Sequence, residues 1–208
     1  MKIGEGSFLR RFVPLAVVGV LITLLAACTG RGGGQLPPGA GFTGPASFGF
    51  DFSCEDSGGL NPPTGKLRIQ LSYADRGTSV SLGAPFSIHG IVDQIDPVLE
   101  SQICAGQNPP PGGNELIFLG RYYLTSSAPA GFPSTCPTRQ TRTSPLCRFE
   151  VIVRDNDRNL TPSMGDFFSI KLSSATALDC PLPCSQLPAP AVFYTRAGYL
   201  SAGNLTVD

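Results

Sequence analysis

From residue 46 onward the apolar residues recur with a period of two, and a chain that does this repeatedly is committed to sheet. Phe48, Phe50 and Phe52 alternate with Gly49, Asp51 and Ser53, and Leu67, Ile69, Leu71 and Tyr73 alternate with Arg68, Gln70 and Ser72. Each run presents one apolar face and reads as a half-buried strand. Further strands are expected in 85–93, around Ile88 and Val92, and in 115–125, 148–154, 167–172 and 199–207. Turn-forming clusters separate them, such as Asn61-Pro62-Pro63-Thr64-Gly65 and Asp75-Arg76-Gly77. No window sustains a helical period, in keeping with 25 glycines and 20 prolines. Strands joined by short turns pair antiparallel, because a parallel crossover needs a dozen or more residues. The expected fold is therefore all-β over residues 46–208, a single domain built as an antiparallel β-sandwich or a closed β-barrel.

The N-terminus has a different character. Lys2, Arg10 and Arg11 precede the apolar run Phe12 to Ala27, which is shorter than the roughly 20 residues a helix needs to span a bilayer. Leu25-Ala26-Ala27-Cys28 closes the run and looks like the lipobox of bacterial lipoprotein signals, with small residues ahead of a cysteine. That resemblance implies that residues 1–27 are a removable signal peptide and that Cys28 carries the acyl chains, palmitate-type fatty acids included. Two buried acyl chains anchor a protein stably where one is marginal. An ordinary signal peptide or a membrane helix with an incidental cysteine is the plainer alternative. Residues 28–45 are rich in Gly and Pro and are expected to be a flexible tether with an r.m.s. span of roughly 23 Å. The expected location is the extracytoplasmic side of a bacterial membrane, in the cell envelope.

Cysteine usage fits that compartment. Setting Cys28 aside leaves Cys54, Cys104, Cys136, Cys147, Cys180 and Cys184, an even set that an oxidising space can close as three bridges. Loop lengths favour Cys136 with Cys147 and Cys180 with Cys184, leaving Cys54 for Cys104. Zinc is disfavoured by a single histidine and the absence of paired CxxC spacing. Without residues 1–27 the chain keeps 12 basic and 14 acidic groups, a net charge near −2. Such a balance gives no electrostatic footprint for nucleic acid, so none is expected as a partner.

Several fragments, in order, resemble the β-rich post-COAP module of secreted bacterial proteins. They are Ala46-Ser-Phe-Gly-Phe50, Gly65-Lys-Leu67 through Tyr73-Ala-Asp75, and Ile88-His-Gly-Ile-Val92. The later ones are Phe149-Glu-Val-Ile-Val153 through Asn156, Gly165-Asp-Phe-Phe-Ser-Ile170, and Gly198-Tyr-Leu200 to Gly203-Asn-Leu-Thr-Val207. The resemblance spans nearly all of the domain and implies a non-catalytic extracellular module of undefined role. The chain departs from it in the proline-rich stretch near Asn108 and around Cys136 and Cys180.

Candidate chemistry is sparse. Asp155, Asp157 and Asn159 alternate after a strand, and Asp166 follows, an oxygen-rich set of the kind calcium takes. Leu160 stands where an EF-hand loop needs glycine, and the plainer reading is a solvated turn in which Asp and Asn bond their own backbone. His89, beside the core-facing Ile88, is expected on the outer face; it is the sole imidazole for general-base work, and no Gly-x-Ser-x-Gly elbow accompanies it. The expected function is a membrane-tethered, non-enzymatic lipoprotein module that supports the envelope or contacts a protein or glycan partner. The alternatives are a small-ligand carrier with a cavity inside a barrel, and an envelope hydrolase using His89 or a carboxylate pair drawn from Asp93, Asp96, Glu100, Glu115 and Glu150.

Overall fold

The computed structural model describes residues 28–56, 65–79, 82–91, 114–136, 138, 147–156, 165–176 and 187–207. The alternating segments become strands, and two that alternation did not announce, β1 and β8, join them: β1 (Cys28–Leu36), β2 (Ala46–Asp56), β3 (Gly65–Asp75), β4 (Phe86–Ile91), β5 (Glu115–Leu124), β6 (Cys147–Arg154), β7 (Phe167–Ser173), β8 (Val192–Tyr199) and β9 (Ala202–Val207). They form one sheet in the order β8-β7-β6-β5-β4-β3-β2-β1-β9, with every ladder antiparallel. The fold is all-β, as the alternation requires. It is a single curled sheet, a half-barrel, whose ladder ends at β8 and β9.

The curl is driven by the apolar face packing on itself. Phe48 of β2 stacks on Phe168 of β7 with ring centroids 3.6 Å apart, and Phe50 and Phe52 lie 5.5 and 5.4 Å from Phe118 of β5. Strands several positions apart in the ladder thus meet across the interior, where Leu71, Tyr122, Val151, Ile170 and Leu205 are also buried. Phe149 occupies a slot bounded by Gly90 and Gly120, where an added Cβ would stand 2.6 and 2.7 Å from its ring carbons. A side chain at either glycine would overfill the core.

Residues 28–36, read from the sequence as part of a flexible tether, are a strand held on both sides. Gly30 pairs with Phe52 of β2 and Val207 of β9, and Gln35 with Ser47 and Ala202. Glycine here reflects crowding rather than flexibility. A Cβ on Gly32 would lie 2.5 Å from the Asn204 carbonyl oxygen, one on Gly33 2.9 Å from that of Phe48, and one on Gly34 2.6 Å from that of Ala202. Three backbones approach closely, which is a recognised use of glycine within a strand. Only 37–45 is irregular, and it is fastened to the sheet as described below.

Candidate functional site

At one end of the half-barrel a buried polar chain joins elements far apart in sequence. Asp75 closes β3 and is 1% exposed; Arg196 of β8 is 3% exposed. Arg196 Nη1 donates to Asp75 Oδ1 at 2.8 Å, and Nη2 donates to the carbonyls of Pro37 and Gly44 at 2.9 and 2.7 Å. The guanidinium also lies over the Phe42 ring, 4.5 Å from its centroid. Tyr194 donates to Asp75 Oδ2 at 2.6 Å, which leaves its oxygen to accept from Tyr73 at 2.5 Å. The Gly77 amide supplies a third bond to Asp75 at 3.0 Å. Burial pushes the Tyr73 phenol above its ordinary range, and Tyr194 is raised by burial, then by Tyr73 and by its bond to Asp75. Both phenols stay neutral donors. Every member is bonded, so the set acts as a clasp fixing 37–45 against β3 and β8. The alternation on β3 placed Tyr73 inside, but nothing local in the sequence linked it to Arg196.

The opposite rim holds the residues considered for calcium. Asp166 Oδ1 accepts the Asn156 amide at 3.1 Å and Oδ2 accepts the Leu205 amide at 2.8 Å. Asp155 Oδ2 accepts the Val207 amide at 3.3 Å. Both carboxylates are buried, and they satisfy donors on β9 that no neighbouring strand meets. Asp157 and Asn159 lie outside the described residues. Among the described residues no group of three or more His, Cys, Asp or Glu is placed to hold a metal.

Cys136 and Cys147 form a disulfide, with Cα atoms 5.3 Å apart, which ties the chain after β5 to the start of β6. Tyr122, whose phenol burial raises, donates to the Ser173 carbonyl beside it at 3.0 Å. Cys104, Cys180 and Cys184 lie outside the described residues. For Cys54 the backbone register is defined: its Cα partner on β1 is Cys28.

His89 faces outward beside Tyr123, with centroids 5.4 Å apart, and burial lowers its pKa. It borders a shallow outer depression of about 210 Å³ that Asp51 and Ser72 also line. Sequence spacing gave no sign of this grouping, since the three residues come from three strands. The Ser72 hydroxyl is directed to the Gly49 carbonyl at 3.3 Å, and the depression opens to solvent on the sheet's outer surface. Of the carboxylates considered for paired catalysis, Glu150 is bound by Lys171 at 2.6 Å and Glu115 by Arg154. Asp93, Asp96 and Glu100 lie outside the described residues, as does the apolar run 12–27. No helix among the described residues is long and apolar enough to cross a membrane. The chain matches no family model, no curated protein and no solved structure.

Proposed function

We propose that the chain is a lipid-anchored, non-enzymatic extracytoplasmic module of the bacterial envelope, held to the membrane through acyl chains on Cys28. The observation that carries the proposal is the coincidence of a basic flank, a short apolar run and the Leu25-Ala26-Ala27-Cys28 tetrapeptide. In this reading the post-COAP likeness describes the same kind of module, a β-rich body without chemistry of its own. The interior supports it, because aromatic rings fill the space that a carrier would keep for its ligand. So does the outer depression at His89, where the serine hydroxyl is spent on a backbone carbonyl.

The barrel form belongs to the same proposal. Asp155 and Asp166 bond the amides of β9, and the Ser201 amide donates to the Gln35 carbonyl at 2.9 Å, so side chains and single bonds take over where the ladder stops. The test is fractionation of cells carrying Cys28→Ala. The wild-type chain is expected with membranes and the variant in the soluble extracytoplasmic fraction. An unchanged distribution refutes the anchor.

A further inference from the structure

We infer that the outer face of β3 to β6 binds an acidic glycan strand, its carboxylate taken by Arg121 with Arg148 behind it and its hydroxyls by the polar hollow beside His89. The site adds a ligand to the module proposed above and does not depend on the lipid anchor.

Charge on the two central strands is the first support. In other ladders, charged residues opposite one another differ in sign: Arg31 with Asp51, Glu115 with Arg154, and Glu150 with Lys171. Arg121 and Arg148 are also directly opposite, and both are positive. Like charges in that position destabilise a sheet. Arg148 is 1% exposed, whereas Arg121 is half-buried and reaches the surface. Burial lowers the pKa of Arg121, and the neighbouring Arg148 lowers it further. Each arginine also has other contacts within the chain. An anion seated on Arg121 relieves the repulsion between the two, and partial burial strengthens its attraction to both.

The second support is what adjoins the arginines. Gln70, Ile91 and Arg121 occupy one cross-strand row, and Gly49, Ser72, His89 and Tyr123 occupy the next. Two adjoining depressions, of about 290 and 210 Å³, share Gly49 and Ser72. Gly49 keeps their floor open, since a Cβ there would already touch the Ser72 hydroxyl, 3.4 Å away. The Gln70 amide both donates and accepts, as does the His89 imidazole, which burial keeps toward its neutral form. Ser72 gives its proton to the Gly49 carbonyl, and its oxygen still accepts. Asp51 lines the far end, where Arg31 is opposite it. Half-buried Tyr123, beside His89, supplies an aromatic surface for the C–H side of a sugar ring. Short hydrogen-bonding groups, then a ring, then a cation suit a chain of acidic sugars. An extended acidic peptide would look instead for side-chain pockets along a strand edge.

The full chain, extracted in detergent, is titrated calorimetrically with oligosaccharides of galacturonate, glucuronate and mannuronate, with their carboxyl-reduced counterparts, and with polyglutamate. Saturable binding to at least one uronate is expected, weakened at least about tenfold by carboxyl reduction and by Arg121→Gln, as loss of a charged hydrogen bond requires. Tyr123→Ala should weaken it several-fold, and added salt should weaken it as well. Circular dichroism and the urea midpoint identify any variant that has lost its fold, and the carboxyl-reduced sugars test the charge without a variant. No saturable binding to any of the three uronates, or equal binding of the reduced sugars, overturns the inference. Affinity unchanged in folded Arg121→Gln overturns it too, as does polyglutamate binding as tightly as the uronates, which would make an acidic protein the partner.

Discussion

Replacing Arg196 by Met tests the clasp most sharply. Methionine keeps much of the stem but removes the guanidinium, so a carboxylate that is 1% exposed retains only the Tyr194 hydroxyl and the Gly77 amide. The carbonyls of Pro37 and Gly44 lose their shared donor, and Phe42 loses the cation over its ring. Removing one partner of a buried ion pair costs about 3–5 kcal/mol because the other charge stays behind without compensation. With a urea m-value of roughly 2 kcal/mol per M, a loss of ~4 kcal/mol lowers the unfolding midpoint by about 2 M. The assay is equilibrium urea unfolding followed by far-ultraviolet circular dichroism, on oxidised protein in detergent. Amide exchange should quicken selectively in 37–45, which the guanidinium pins. Adding Asp75→Asn to Arg196→Met removes the stranded charge and should recover part of the loss, a coupling that a double-mutant cycle reads directly. A midpoint change below about 0.5 M, or strictly additive effects, refutes the reasoning, since exposed ion pairs behave in that way.

Three further outcomes follow from the same geometry. Tyr73, Tyr122 and Tyr194 ionise less readily folded than unfolded, so stability is retained below pH 10, the ordinary phenol value, and falls as the pH rises above it. Absorbance at 295 nm should fall short of the total for five phenols until unfolding releases these three; full ionisation of the folded protein at pH 11 contradicts this. Asp166→Asn turns an amide group toward one of two N–H donors, Asn156 or Leu205, and should cost about 1–3 kcal/mol while speeding exchange in 204–207; unaltered protection there counts against the rim closure. The double variant Cys136→Ser/Cys147→Ser frees a loop of about a dozen residues and should lose about 3 kcal/mol by the loop-entropy estimate; a midpoint within error of the wild type rejects that contribution.

What could be read from the sequence was whatever side-chain alternation encodes. Phe48, Phe50 and Phe52 announced β2, and Phe149, Val151 and Val153 announced β6, because period two survives in any single strand. β1 was illegible for the opposite reason: Gly30, Gly32, Gly33 and Gly34 carry no side chain to alternate, and the crowding that requires them exists only once β2 and β9 are in place. β8 was hidden by its mixed faces, with Thr195, Ala197 and Gly198 interrupting the pattern, and its two important residues, Tyr194 and Arg196, find their partners more than a hundred residues away. Asp155 and Asp166 were legible as an oxygen-rich pair. Whether such oxygens hold a cation or a strand edge depends on β9, which local spacing does not register. The Cys136–Cys147 bridge was recoverable because closing a short loop costs the unfolded chain little.

The measurement that bears most directly on the account is the intact mass of the protein isolated from bacterial membranes, with sequencing of its N-terminal peptide. Loss of residues 1–27 and acyl chains on the Cys28 sulfur are expected, leaving Cys54 to bond elsewhere. Retention of residues 1–27 with an unmodified thiol, or a Cys28–Cys54 disulfide where the backbone register places the two side by side, would contradict it.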